Sequence, residues 1–292
     1  MSLSLSATSN RRKILITGST DGIGKHTAEK LAKDGHDLLI HGRQPKLGAK
    51  IAEELKAKGA HSVQYFNADL GDLTQVEQLA RDVQEALQDD DAHLDVLINN
   101  AGIFDPPRPA KSVQGYDMTW AVNVMAPYVL TRRLLPLLAA SSDACPRIIT
   151  TSSISQSYTM PPLDQLFAIN DTPKGGHAAY SDSKLGDYMF TVELARILKQ
   201  QQKQGGYGKI KCLTMDPGTV NTKMLLAGWG ACGINVKRAD NTYQLATDYG
   251  ASQESGTYHF GGGGSRDAKD RTKTRALFER LQECTGVTYD DL

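Results

Sequence analysis

A doubly wound α/β fold with a parallel sheet of about seven strands is what this 292-residue sequence predicts, and three observations carry that expectation. Short apolar runs bounded by glycine or polar residues alternate with longer stretches of helical periodicity along nearly the whole chain. The first run is almost continuously apolar, as expected of a buried strand. It passes through a glycine-rich turn directly into a helix, which is the phosphate-binding half of a dinucleotide unit.

That first run is Lys13-Ile14-Leu15-Ile16-Thr17, ended by Gly18. Gly18-Ser19-Thr20-Asp21-Gly22-Ile23-Gly24 follows and opens a helix reaching about Lys33. Its glycines let the backbone approach a pyrophosphate, although the spacing is G-x-x-x-G-x-G rather than G-x-G-x-x-G. Asp37 to His41 reads as the second strand, followed by Gly42-Arg43. At this point an acid would hold a ribose 2′-hydroxyl, whereas a basic residue accommodates a 2′-phosphate. The sequence has Arg43 and no acid.

A helix over Gln44 to Lys58 leads to a third strand, Ser62 to Asn67, and then to Asp69 and Leu70. A helix from Leu73 to Leu87 precedes the fourth strand, Leu94 to Ile98, which runs into Asn99-Asn100-Ala101-Gly102. Small and amide residues at the carboxyl end of a parallel strand lie where ligands bind in such sheets. The spacing predicts a long helix over Gly115 to Ala139 with Asn123 among apolar neighbours, where it must be hydrogen-bonded. Arg147 to Thr151 is the fifth strand, ending in Ser152-Ser153. An irregular insert rich in Pro and Gly separates Ser153 from Tyr180. The sixth strand, Lys209 to Met215, gives way to the loop Asp216-Pro217-Gly218-Thr219-Val220-Asn221-Thr222. Between Lys223 and Ser255 the pattern weakens, with one short helix near Thr242 to Thr247. A last strand near Gly256 to Phe260, a flexible glycine hinge at Gly261 to Gly264 and an amphipathic helix from Asp267 to Cys284 complete the chain. There is no internal repeat and no sign of a second domain. Residues 11–292 are expected to form a single domain after a disordered head of residues 1–10.

Composition narrows the function. The 33 basic and 33 acidic side chains cancel, so neither nucleic acid nor an anionic membrane is expected as a partner. No run reaches the length of a membrane span, and the Ser/Thr-rich N-terminus lacks the apolar core of a signal peptide. Cys145, Cys212, Cys232 and Cys284 are far apart without metal-ligand spacing. They read as reduced thiols, and a cytoplasmic location with no bound metal is expected.

Tyr180 and Lys184 lie four apart, with Leu185, Met189, Val192 and Ala195 at helical spacing behind them. A phenol and an ammonium on one helix face are a plausible acid/base pair, the positive charge favouring the phenolate and drawing its pKa down from about 10. Taken alone, Tyr-x-x-x-Lys is a common pattern.

Taken together and in this order, Thr17-Gly18-x-x-x-Gly22-Ile23-Gly24, Asp69, Asn99-Asn100-Ala101-Gly102, Asn123, Ser153, Tyr180-x-x-x-Lys184 and Pro217-Gly218 resemble the short-chain dehydrogenase/reductase family over nearly the whole chain. Gly22-Ile23-Gly24-Lys25, Arg43, the long insert and Leu277-Phe278-Glu279 are most similar to its retinol-dehydrogenase and WW-domain-oxidoreductase group. Many relatives in that group carry a membrane segment, which is not evident here.

The resemblance implies a Rossmann-type fold and hydride exchange between a nicotinamide and a carbonyl or alcohol. It implies Tyr180 as acid/base, Lys184 on the nicotinamide ribose, Ser153 on the substrate oxygen in preference to Ser152, and Asn123 holding a water that links Lys184 to solvent. It also implies a cofactor framed by Gly18, Ser19, Thr20, Asp21, Gly22, Ile23 and Gly24. Asp69 and Leu70 would meet the adenine, Asn99, Ala101 and Gly102 would line the nucleotide, and Pro217, Gly218, Val220 and Thr222 would lie near the carboxamide. With Arg43 at the 2′ position, NADP(H) is expected in preference to NAD(H). The substrate is expected to be a small carbonyl or alcohol met by residues 154–177 and 223–255, on a monomer or homo-oligomer. Two other readings are a cofactor-binding sensor or scaffold that has lost turnover, and a sugar-nucleotide epimerase with tighter glycine spacing.

Overall fold

The computed structural model describes residues 11–88, 92–106, 110–165, 176–201, 207–262 and 264–292. The expected head, residues 107–109, Gly263 and residues 166–175 of the insert lie outside them. Seven strands form one parallel sheet in the order β3-β2-β1-β4-β5-β6-β7. They are β1 Lys13–Ile16, β2 Asp37–Gly42, β3 Ser62–Asn67, β4 Val96–Asn99, β5 Arg147–Thr151, β6 Lys211–Met215 and β7 Thr257–His259. Because β1 pairs with both β2 and β4, the strand order reverses there and opens a crevice at the carboxyl ends.

The helices are α1 Gly22–Lys33, α2 Pro45–Ala57, α3 Leu73–Ala86, α4 Met118–Trp120, α5 Ala126–Ala140, α6 Gly176–Gln200, α7 Lys223–Trp229, α8 Asn241–Ala246, α9 Asp248–Ser252 and α10 Arg271–Thr285. Strand alternation splits the apolar residues between two cores. Ile14, Ile16, Leu38, Ile40, Val96 and Ile98 pack against Leu31, Ile51 and Leu55 of α1 and α2. Leu15, Leu39, Leu97 and Ile148 pack against Val76, Leu134, Leu185 and Leu281 on the other face. Capping fixes where several helices start. Asp21 accepts from Gly22 N, Asp72 from Thr74 N, and Asp270 from both Thr272 and Lys273 N.

Several expectations need adjusting. The long helix starts at Met118, not Gly115, because Asp117 caps it through Trp120 N at 3.1 Å. Its next stretch, Ala121–Met125, is a π-helix rather than an α-helix, with Asn123 at its centre. The weakly patterned segment after Lys223 contains three short helices and a 3₁₀ turn at Val236–Arg238. Gly261 and Gly264 are not a free hinge. A Cβ at Gly261 would lie 2.5 Å from the Tyr258 ring, and one at Gly264 2.3 Å from that of Tyr188, so both serve close packing against rings. Among the described residues no helix is long and apolar enough to cross a membrane.

Candidate active site

The crevice beside β1 holds a cavity of about 690 Å³. The glycine-rich turn forms one wall. Gly18 and Gly22 have φ of +63° and +55°, a region that an L side chain enters only with strain. A Cβ on Gly24 would sit 2.4 Å from Gly18 O and 2.5 Å from Asn100 Nδ2, so only glycine fits between them. Thr17 ties this turn to β4, its Oγ1 accepting from the N–H groups of Asn100 and Ala101 at 3.0 Å each.

Residues expected from sequence divide by where their side chains face. Gly18, Thr20, Asp21, Gly22, Ile23, Gly24, Arg43, Asp69, Leu70, Ala101, Gly102 and Thr222 all line the cavity. Ser19 does not, because its fully buried hydroxyl donates to Ile16 O and accepts from His41 N, pinning the turn from behind. Asn99 does not either. As the last residue of β4 its amide donates to Thr131 Oγ1 of α5, and it is Asn100, one step along, that lines the cavity. Pro217, Gly218 and Val220 also stand back from the wall, Val220 being buried in a bridge to Ile234.

His41 was not picked out by sequence. It is buried, its Nδ1 accepting from Gly18 N and its Nε2 donating to Ala68 O, each at 3.1 Å, so it staples the glycine-rich turn to the end of β3. Burial pushes its pKa down to about 4, with Arg43 adding to the effect and the Ala68 hydrogen bond opposing it. A histidine of depressed pKa stabilises the fold fully above its unfolded value of 6.5 and loses that contribution as pH falls towards 4. Between about pH 7.5 and about pH 5 this residue is expected to account for about 2 kcal/mol of lost stability. Urea melts check it. His41→Asn can keep the acceptor for Gly18 N but does not titrate, so its own loss over that interval should be smaller by about that amount.

Tyr180, Lys184 and Ser153 come together behind Gly102 and Phe104 of the cavity wall and do not themselves line it. Tyr180 and Lys184 stand on one face of α6, the ammonium 5.6 Å from the phenol ring centre. Lys184 Nζ donates to Thr151 O and to Asp187 Oδ2, each at 2.8 Å. It would lie 3.6 Å from a Cβ on Gly102, which lines the cavity. Ser153 sits beside the Tyr180 phenol and shares a hydrogen bond with Ser155 Oγ at 2.8 Å. Ser152 is turned away, its hydroxyl donating to Lys184 O at 2.6 Å. Asn123 holds the loop after β4. Its Oδ1 accepts from Ile103 N, and its Nδ2 donates to Ile103 O and Ser183 Oγ. With its amide spent this way, Asn123 braces Gly102 and Ile103 against α6.

The expected lowering of the Tyr180 pKa is not what this arrangement produces. Burial raises it, and the pull of Lys184 and Ser153 does not offset that, with Asp187 and Asp216 adding to the rise. Only 8% of Tyr180 is exposed. Phe104 and Trp229 cover its ring, with centroids 5.7 and 5.8 Å away, and His177 packs on both at 4.8 and 4.6 Å. Thus one end of the insert (His177) and the end of α7 (Trp229) meet over the phenol. No group of His, Cys, Asp or Glu among the described residues is placed to hold a metal ion.

Comparison with known proteins agrees with this geometry. Residues 12–165, just over half of the chain, match the family described as short chain dehydrogenase. Mouse (Mus musculus) polyprenol dehydrogenase is 30% identical over 75% of this chain and 63% of its own length. Human retinol dehydrogenase 11 is 32% identical over 73% and 62%. The chain thus spans less than two thirds of either relative. Among solved structures, an uncharacterized protein from Mycobacterium paratuberculosis is 27% identical with a TM-score of 0.73, covering 95% of this chain and 94% of that one. A protein from Escherichia coli CFT073, described as a short chain dehydrogenase complexed with NADPH, is 26% identical with a TM-score of 0.56, covering 75% and 81%. The glycine-cradled crevice, the Tyr180–Lys184 face and the family match agree: the chain belongs to the short-chain dehydrogenase family.

Proposed function

We propose that this chain is an NADP(H)-dependent oxidoreductase that interconverts a carbonyl and an alcohol, with Tyr180 as its proton donor and acceptor. The observation that carries the reading is the clustering of Tyr180, Lys184 and Ser153 directly behind Gly102 and Phe104, which line a glycine-cradled cavity. The residues fit a dinucleotide. Gly18, Gly22 and Gly24 leave a groove that side chains would fill, and the amino end of α1 faces it with partial positive charge. When bound, the nicotinamide supplies or takes up the hydride.

The protein's own part is placement and proton transfer. The Tyr180 hydroxyl gives its proton to the substrate oxygen in reduction and recovers it in oxidation. The Ser153 hydroxyl donates a hydrogen bond to that same oxygen. Two N–H groups of Lys184 are held by Thr151 O and Asp187, which leaves the third for a ribose hydroxyl or the phenolate. Phe104, His177 and Trp229 exclude water from the phenol, so a substrate must enter past these rings.

Arg43 supports the phosphorylated cofactor. It is exposed on the cavity wall, with no carboxylate next to it in sequence. A guanidinium–phosphate contact contributes about 1.5–3 kcal/mol. Arg43→Leu should therefore weaken NADPH binding about tenfold to a hundredfold while leaving NADH binding nearly unchanged, as titration calorimetry of both would show. The function itself is tested by NADPH consumption over a panel of aldehydes and ketones. Turnover of at least one supports the reading. Tight NADPH binding with no turnover of any would favour a sensor or scaffold instead.

A further inference from the structure

Asp187 lies three residues after Lys184 and seven after Tyr180, so all three share one face of α6. Its side chain is 1% exposed and its Oδ2 accepts from Lys184 Nζ at 2.8 Å, while its Oδ1 has no hydrogen-bond partner among the described residues. A buried carboxylate with one orphaned oxygen is costly, and a hydrogen-bonding neutral residue would cost the fold less. Its one partner among the described residues is the lysine that faces the phenol.

We propose that Asp187 is a positioning residue for the reaction: it anchors the Lys184 ammonium between α6 and the end of β5, and its own charge opposes the Tyr180 phenolate that the ammonium favours. The inference rests on the oxidoreductase reading for its consequence but not for its geometry. Without Asp187, Lys184 keeps only the Thr151 carbonyl as a holding partner.

The charged groups facing the phenol are few. Lys184 and Asp187 lie on α6 and Asp216 lies beyond β6, where it accepts from Ile154 N. Asp182 is bound to Ser157, and Glu193 pairs with Arg196 at the far end of the helix. The His177 ring packs on Phe104 and Trp229 rather than on the phenol. Burial pushes the Asp187 carboxyl up to about 7 against the pull of Lys184, while Asp187 in turn raises the Lys184 pKa despite burial. Removing the Asp187 charge takes away its direct repulsion of the phenolate, so the phenolate forms at lower pH while Lys184 stays protonated.

Asp187→Asn keeps the shape and an acceptor and removes the charge. In the cofactor-free protein, ring-carbon NMR of labelled tyrosine should show Tyr180 titrating on the order of one pH unit lower than in the native chain. The rising limb of alcohol oxidation against pH should move down by the same amount. Asp187→Glu, which retains the charge, should keep the native titration, and Asp187→Ser repeats the neutral arm if Asp187→Asn does not fold. A neutral variant that folds with an unchanged Tyr180 titration overturns the proposal. Absence of turnover in every chain, with the NMR shift still present, counts against the oxidoreductase reading and leaves the role of Asp187 standing.

Discussion

Tyr180→Phe is expected to lower carbonyl reduction by about a hundred- to ten-thousandfold, the usual contribution of a positioned acid. The substitution removes one oxygen and leaves the ring that packs against Phe104 and Trp229. Ser153 retains its bond to Ser155, so no buried donor is stranded by the change. Stability should therefore shift by no more than about 1 kcal/mol. The cavity walls around the glycine-rich turn are untouched, and NADPH affinity should persist within a fewfold. A tyrosine serving only as packing predicts the reverse: little change in rate, or loss of rate only through unfolding. Rate, NADPH affinity and melting temperature of the purified variant separate the two.

Lys184→Met carries the largest expected cost in stability. It keeps the buried stem and removes the ammonium, leaving Asp187 without a partner. Breaking one side of a buried ion pair costs about 3–5 kcal/mol. The sign of its pH dependence is fixed by the carboxyl that remains. Asp187 is already raised to about 7 beside the ammonium, and without it the value rises further above the unfolded 3.8. A raised carboxyl holds its proton more tightly in the folded chain, so the penalty is absent at low pH and grows as pH increases. Relative to the native chain, urea melts should show a loss at about pH 8 that exceeds the loss at about pH 5 by about 1 kcal/mol, because the native carboxyl itself titrates near 7. The double change with Asp187→Leu should recover much of it. Equal loss at both pH values, with no recovery, would contradict a buried ion pair. The rate should fall as well, because the residue facing the phenol is gone.

Much of this was legible from the chain because the signals are local. The inner strands β1, β2, β4, β5 and β6 are centred on apolar runs, unlike the edge strands β3 and β7, and the positive φ at Gly18 and Gly22 explains the glycines of the first turn. The start of the long helix was less legible. Its apolar residues continue all round through the π segment, so periodicity has nothing to mark, and only the Asp117 cap shows where it begins. Asn99 and Asn100 are adjacent in sequence, but strand alternation turns one to α5 and the other to the cavity.

What escaped the sequence depends on long-range contact. His41 looks like an ordinary strand residue until Gly18 and Ala68 close on it. Asp187 reads as a solvated helix position, although its spacing of seven from Tyr180 was a usable sign. The Tyr180 pKa is raised rather than lowered because Phe104 and Trp229 bury the phenol, and those residues lie more than a hundred positions apart.

Hydride is expected to pass between a nicotinamide and a carbonyl carbon beside Tyr180. Reduction with NADPH deuterated at the transferable position of the ring tests it most directly. For at least one carbonyl in an aldehyde and ketone panel, the product alcohol should carry deuterium on its carbinol carbon, and Tyr180→Phe should form this product at least about a hundredfold more slowly. Folded protein that binds NADPH yet yields no labelled alcohol from any carbonyl in the panel would contradict it.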